Sequence, residues 1–137
     1  MIESRCSGFS FKIGSAAIVF DGTDEQKQRY LPKYATGELI GSFCLTEPDV
    51  GSDAASVKTS AAKEGNHYIL NGTKLFVTNA PRAGTFTVIA RTNPGEKKAK
   101  GVSAFIVDAD SPGISLGAKN KKWGMRVPTP VTSFLTT

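Results

Sequence analysis

The spacing of apolar positions changes character near Leu39, from helical clusters to short alternating runs. Before that point, residues 15–20 form an apolar, Ala-containing segment that stops at Asp21-Gly22, the signature of a helix end. Thr23-Asp24-Glu25-Gln26 follows, with Thr23 as N-cap and Gln26 three residues on, a capping box whose Asp24 and Glu25 complement the helix dipole. The pattern predicts a helix over 24–34, a kink or break at Pro32, and an end at Ala35-Thr36-Gly37. From Leu39 onward the alternation predicts strands over 39–46, around Lys58 paired with 68–71, over 74–78, Thr85–Arg91 and Val102–Asp108, and a last one after Val131. Glu64-Gly65-Asn66 and Asn71-Gly72 supply tight turns, the second as a type I′ hairpin. In Thr85–Arg91, Phe86, Val88 and Ala90 share one face while Thr85, Thr87 and Arg91 share the other, as in a half-solvated antiparallel strand. The expected fold is mainly β, a small antiparallel barrel or two packed sheets with a short helical lead-in.

Composition narrows the class. The 137 residues are 39% hydrophobic and 21% charged, enough for one domain with a core. No apolar run approaches the roughly 20 residues of a membrane span, and the first residues, with Glu3 and Arg5, lack the apolar region of a secretory signal. A cytoplasmic protein with no membrane partner is expected, and a processed organellar protein would show the same composition. Cys6 and Cys44 are too few for a disulfide framework or a zinc site, and the single histidine, His67, sits just after a turn where an edge-strand or surface role is expected, so no metal is predicted. The net charge of +5 concentrates in Lys97-Lys98-Ala99-Lys100 with Lys119, Lys121, Lys122 and Arg126. That run follows Asn93-Pro94-Gly95 and carries no aromatic residues for base stacking, so it reads as a solvated loop and no nucleic-acid partner is expected. Neither a nucleophile elbow nor a G-x-x-x-x-G-K-[ST] loop occurs.

Two segments carry candidate chemistry. In Phe43-Cys44-Leu45-Thr46-Glu47-Pro48-Asp49-Val50-Gly51-Ser52-Asp53, an apolar strand runs into a turn rich in small hydrogen-bonding groups, which is how a chain presents backbone amides to a ligand. Pro48 fixes the start of the turn and Gly51 lets a ligand come close. A plain β-turn, with Asp53 satisfying local amides, is the competing reading. In Gly72-Thr73-Lys74-Leu75-Phe76-Val77-Thr78-Asn79-Ala80, Phe76 and Thr78 lie two apart on a predicted strand and would project one ring and one hydroxyl from the same face. Core packing of Phe76 competes with that reading.

Together these segments resemble the two signatures of the acyl-CoA dehydrogenase flavoproteins. Gln26-Lys27-Gln28-Arg29-Tyr30-Leu31-Pro32 with Gly37-Glu38 resembles the last helix of that family's amino-terminal helical domain, and Lys100-Gly101-Val102-Ser103-Ala104-Phe105-Ile106-Val107 with Pro112-Gly113-Ile114 resembles its later strands. The resemblance covers about 22–126 and weakens at Val127-Pro128-Thr129-Pro130. It implies that 1–37 end the amino-terminal helical domain and that 38–137 are the central β-domain binding flavin and acyl-CoA, with the carboxy-terminal helical domain absent.

The cofactor implied is FAD. Main-chain groups of Phe43 and Leu45 and the Thr46 side chain would meet the isoalloxazine, with Cys44 and Gly51 in the same cradle. Ser52 would lie by the pyrophosphate and the acyl-CoA, Phe76 and Val77 beside the ring, and Thr78 toward N5. Fixed donors suit a flavin because negative charge gathers near N1 and the C2 carbonyl on reduction. The family commonly has tryptophan where this chain has Phe76. The implied reaction is α,β-dehydrogenation of acyl-CoA thioesters, with an electron-transfer flavoprotein as acceptor and a homotetrameric parent; the basic residues would attract the phosphorylated carrier. The family's catalytic carboxylate lies in the missing domain, so no catalytic residue is expected here, Glu47 should satisfy donors beside Pro48, and the isolated segment should be inactive. An acyl-CoA oxidase, a flavin monooxygenase relative and a non-enzymatic β-barrel binding module are the alternatives.

Overall fold

The computed structural model describes residues 7–96, 98–119 and 130–135. Cys6, Lys97, Lys121, Lys122, Arg126 and Val127-Pro128-Thr129 lie outside the described residues.

The described residues begin with two helices, α1 (Ser7–Asp21) and α2 (Asp24–Thr36). The capping box forms as expected: Gln26 N donates to Thr23 Oγ1 at 3.2 Å and Thr23 N donates to Gln26 Oε1 at 2.9 Å. Gly37, at φ 76°, closes α2 in the left-handed region that glycine tolerates. Pro32 does not break the helix, which continues to Thr36. Buried Tyr30 and Tyr34 hold the turns on either side of it.

Among the described residues seven strands follow: β1 (Gly41–Cys44), β2 (Ser60–Glu64), β3 (His67–Lys74), β4 (Thr85–Arg91), β5 (Val102–Asp108), β6 (Ile114–Lys119) and β7 (Pro130–Leu135). The hub is β4. One of its edges pairs antiparallel with β5 over its whole length, from Thr85↔Asp108 to Arg91↔Val102. The other edge is shared: β1 lies parallel along it from Gly41↔Thr85 to Cys44↔Val88, and β2 takes over at Ser60↔Arg91. From β2 the sheet continues through β3 and β7 to β6. The mainly-β class with a helical lead-in holds. The described pairings leave the sheet open, with β1 and β6 at the ends of its path, and the β1–β4 and β2–β4 pairings are parallel.

Three local expectations are corrected. Asn71-Gly72 is not a hairpin turn but lies inside β3, where Asn71 pairs with Ser60 on one side and Gly72 with Phe134 on the other. A Cβ at Gly72 would collide with Thr59, so this glycine serves a close approach of chains. The turn between β2 and β3 is at Gly65, φ 59°, as Glu64-Gly65-Asn66 predicted. Second, the strand expected over 74–78 does not form, because β3 ends at Lys74. Third, β4 is not half-solvated: Thr85 and Thr87 are as buried as Phe86 and Val88. The helices cover that face, with the Thr87 hydroxyl donating to Gly14 O at 3.1 Å and the Tyr34 hydroxyl bonded to Thr85 Oγ1. Two cores result, one on each face of β4. Cys44, Leu70, Val77, Phe86 and Val88 fill the first, and Ile18, Tyr30 and Tyr34 with Ile106 fill the second. Alternation did not predict β6, although its first residue, Ile114, ends the Pro112-Gly113-Ile114 segment likened above to a later strand.

Candidate functional site

The shared edge of β4 creates a fork. β1 leaves β4 after Val88 and β2 joins it at Arg91, which strands the intervening Ile89 carbonyl on the same edge. Lys74, at the end of β3, fills the gap. Its ammonium donates to Ile89 O at 2.6 Å, to Leu45 O at 3.2 Å and to Glu47 Oε1 at 2.8 Å, so each of its three N–H bonds has an acceptor. The Lys74 side chain is 0% exposed and that of Glu47 4%. The Glu47 carboxylate also accepts from Lys58 N at 2.7 Å and Thr59 N at 2.9 Å. Burial pushes the Glu47 carboxyl up, but the hydrogen bonds from Lys74 and from the loop amides outweigh it and hold it below the ordinary carboxylate value. Arg91 clamps the same loop through Val57 O at 3.0 Å and Ala55 O at 2.6 Å. As expected, Glu47 satisfies donors; it is a structural anchor.

Around this fork the two signature segments are stitched together. Leu75 N donates to Thr46 O at 2.8 Å, and the Ser42 hydroxyl donates to Thr78 O at 2.6 Å. Val77, between those anchors, is buried at 1% exposure. Phe76 is instead turned outward at φ 56°, with 61% of its surface exposed. Its relation to Thr78 therefore comes from a looped backbone and not from strand alternation, and the core-packing reading of Phe76 is excluded. Thr46 and Thr78 are half-buried, while Gly51 and Ser52 are exposed beyond the small bridge that closes the turn between Glu47 and Val50. The Asp53 carboxylate takes the Ser56 hydroxyl, not the amides of the turn. Gly51 has ordinary φ and open space around its Cβ position, so nothing in the chain itself demands glycine there.

Backbone direction separates neighbours in the first segment. Ile40 O accepts from Thr85 N, so Ile40, Ser42 and Cys44 turn their backbone groups toward β4, and Phe43 turns its own to the outer edge of β1. The Cys44 side chain lies in the core at 0% exposure, where burial pushes its thiol up to about 12. The side chains of Cys44 and Val77 are thus not brought to the exposed surface; those of Phe76 and Ser52 are. Lys74, Ser42 and Arg91 were missed in the sequence, since a lysine in an alternating strand signals a solvated position. A groove of about 390 Å³ lined by Arg29, Tyr30, Lys33 and Asp108 lies against α2, away from both segments.

The sequence over 42–134 matches the family described as "Acyl-CoA dehydrogenase, middle domain", and that over 3–38 the "Acyl-CoA dehydrogenase, N-terminal domain". This chain belongs to the acyl-CoA dehydrogenase family. It is similar to the mitochondrial isobutyryl-CoA dehydrogenase of Dictyostelium discoideum, 47% identical over 134 residues, covering 97% of this chain and 30% of that protein. Among solved structures, the acyl-CoA dehydrogenase of Geobacillus kaustophilus superposes with TM-score 0.88 at 39% identity, covering 95% of this chain and 36% of that one. An acyl-CoA dehydrogenase of Bacillus anthracis complexed with FAD superposes with TM-score 0.81 at 41% identity, covering 90% of this chain and 21% of that one. The chain spans 30% of the length of the first curated acyl-CoA dehydrogenases it matches. Among the described residues, no helix is long and apolar enough to cross a membrane.

Proposed function

We propose that this chain forms the flavin cradle of an acyl-CoA dehydrogenase, with 1–37 ending a helical domain and 38–137 forming the central β-domain. The observation that carries this reading is the stitching of the two signature segments at Leu75–Thr46 and Ser42–Thr78, which sets an exposed aromatic ring in a left-handed backbone beside an outward-facing strand edge. The residues present fit FAD. The Phe76 ring is 61% exposed, the Phe43 N–H lies on the edge of β1 that no described strand pairs with, and among the described residues nothing lies near a Cβ position at Gly51. Bound FAD would supply the hydride acceptor for the α,β-dehydrogenation of an acyl-CoA thioester.

In this reading Phe43, Leu45 and Thr46 present polar groups to the ring, Phe76 packs against it and Thr78 offers its hydroxyl. Ser52 and Gly51 border the diphosphate and the acyl-CoA, while Cys44 and Val77 hold the backbone from the core side. An electron-transfer flavoprotein would accept the electrons, and the assembly would be a homotetramer. The test is a flavin titration of the complete natural chain, followed by anaerobic addition of acyl-CoA. Uptake of FAD, its bleaching by acyl-CoA, and loss of both in the Thr78→Ala/Ser52→Ala variant are expected. A chain that takes up no flavin contradicts the reading.

A further inference from the structure

We propose that Lys74 is a positioning residue that aims the Thr46 amide at the reducible ring, an inference that rests on the flavin reading above. The peptide between Leu45 and Thr46 is trans, so the Leu45 carbonyl and the Thr46 N–H point in opposite directions. The Lys74 ammonium draws the carbonyl into the fork at 3.2 Å. The Thr46 N–H is thereby turned out of the fork. Thr46 is half-buried, yet among the hydrogen bonds between described residues none uses its N–H, although its carbonyl is taken by Leu75 N at 2.8 Å. A half-buried amide held by its own peptide plane, with no internal acceptor, is a donor kept for a ligand.

The ammonium does more than hold direction. A positive charge on the carbonyl side polarises the peptide and strengthens the N–H as a donor, and the effect grows in the dry surroundings of a fully buried group. Such a donor favours the reduced, negatively charged flavin over the oxidised form. Glu47, fixed by two loop amides, keeps the ammonium in place without itself meeting the ligand.

The experiment uses the complete natural chain loaded with FAD and compares Lys74→Met with Val57→Ala, a truncation of a buried side chain in the loop that Glu47 holds, which has no bond to the Leu45 carbonyl. Spectroelectrochemistry reads the ratio of reduced to oxidised flavin affinity. Lys74→Met is expected to lower that ratio about tenfold, equal to about 30 mV for a two-electron couple, and Val57→Ala to leave it in place. A ratio unmoved in Lys74→Met, or moved equally by both variants, overturns the role. Should Lys74→Met fail to fold, the Thr46 amide is followed by nitrogen-15 NMR in the unmodified protein. Protection and a downfield shift on FAD addition, larger on reduction, are expected; a Thr46 signal indifferent to flavin overturns the role. No flavin uptake by the unmodified protein overturns the flavin reading and this role together, whereas uptake with an unmoved ratio overturns only the role of Lys74.

Discussion

Phe76 concentrates the conflict between stability and function in one residue. A bulky side chain in the left-handed region costs on the order of 1–2 kcal/mol, and an exposed ring recovers little of that from burial. Asparagine tolerates the same backbone. Phe76→Asn is therefore expected to raise the thermal midpoint by a few degrees while weakening FAD binding several-fold, because an aromatic contact of about 1 kcal/mol is lost. Calorimetry and flavin titration on one preparation check both directions, and a variant that is less stable than the parent would contradict the strain. The candidate role of Phe76 was legible from its place in the motif; its backbone was not. Alternation along 74–78 suggested a strand, but Val77 is drawn into the core and Ser42 takes the Thr78 carbonyl, so the chain must loop.

Among the elements, α2 was the most readable, since its boundaries are set by contacts three or four residues apart. Thr23, Gln26 and Gly37 act locally and do so in the structure as in the sequence. Thr23→Ala removes the acceptor for Gln26 N and is expected to cost about 1 kcal/mol, read as a lower urea midpoint with flavin affinity unchanged. An equal loss of flavin affinity would mean that α2 supports the site more directly than its packing shows. The β elements were read less well where pairing partners decide them. Asn71-Gly72 carries a strong turn signal, yet β2 on one side and β7 on the other pair with it and keep the strand straight. Thr85 and Thr87 alternate with apolar residues as a solvated face would, but α1 and α2 lie over them and supply partners for both hydroxyls.

At the scale of the molecule, the fork at β4 joins the parts. Glu47 and Lys74 connect the first signature, the second signature and the hub strand through one buried ion pair. Glu47 has a folded pKa below its ordinary value of 4.5, so its contribution is present above that value and is lost as pH falls through the folded one. Stability measured by urea unfolding should therefore decline as the solution is acidified below pH 4.5. Glu47→Gln should be less stable by about 3 kcal/mol at neutral pH, because the ammonium is left without its counter-charge, and should show a flatter acid limb. An acid limb identical in the two proteins would place the titrating group elsewhere.

The helical lead-in with its caps, the mainly-β body and the two signature segments were legible in the order of residues, because each rests on neighbours in the chain or on residue types in fixed order. Packing in three dimensions is what covers β4 on both faces, turns Phe76 out and Cys44 and Val77 in, and buries Lys74. The physical reason is common to all three. Burial and hydrogen-bond partnership are properties of what lies across a gap in space, and a lysine in an alternating strand reads as solvated until a stranded carbonyl, a second carbonyl and a carboxylate are found waiting for its three protons.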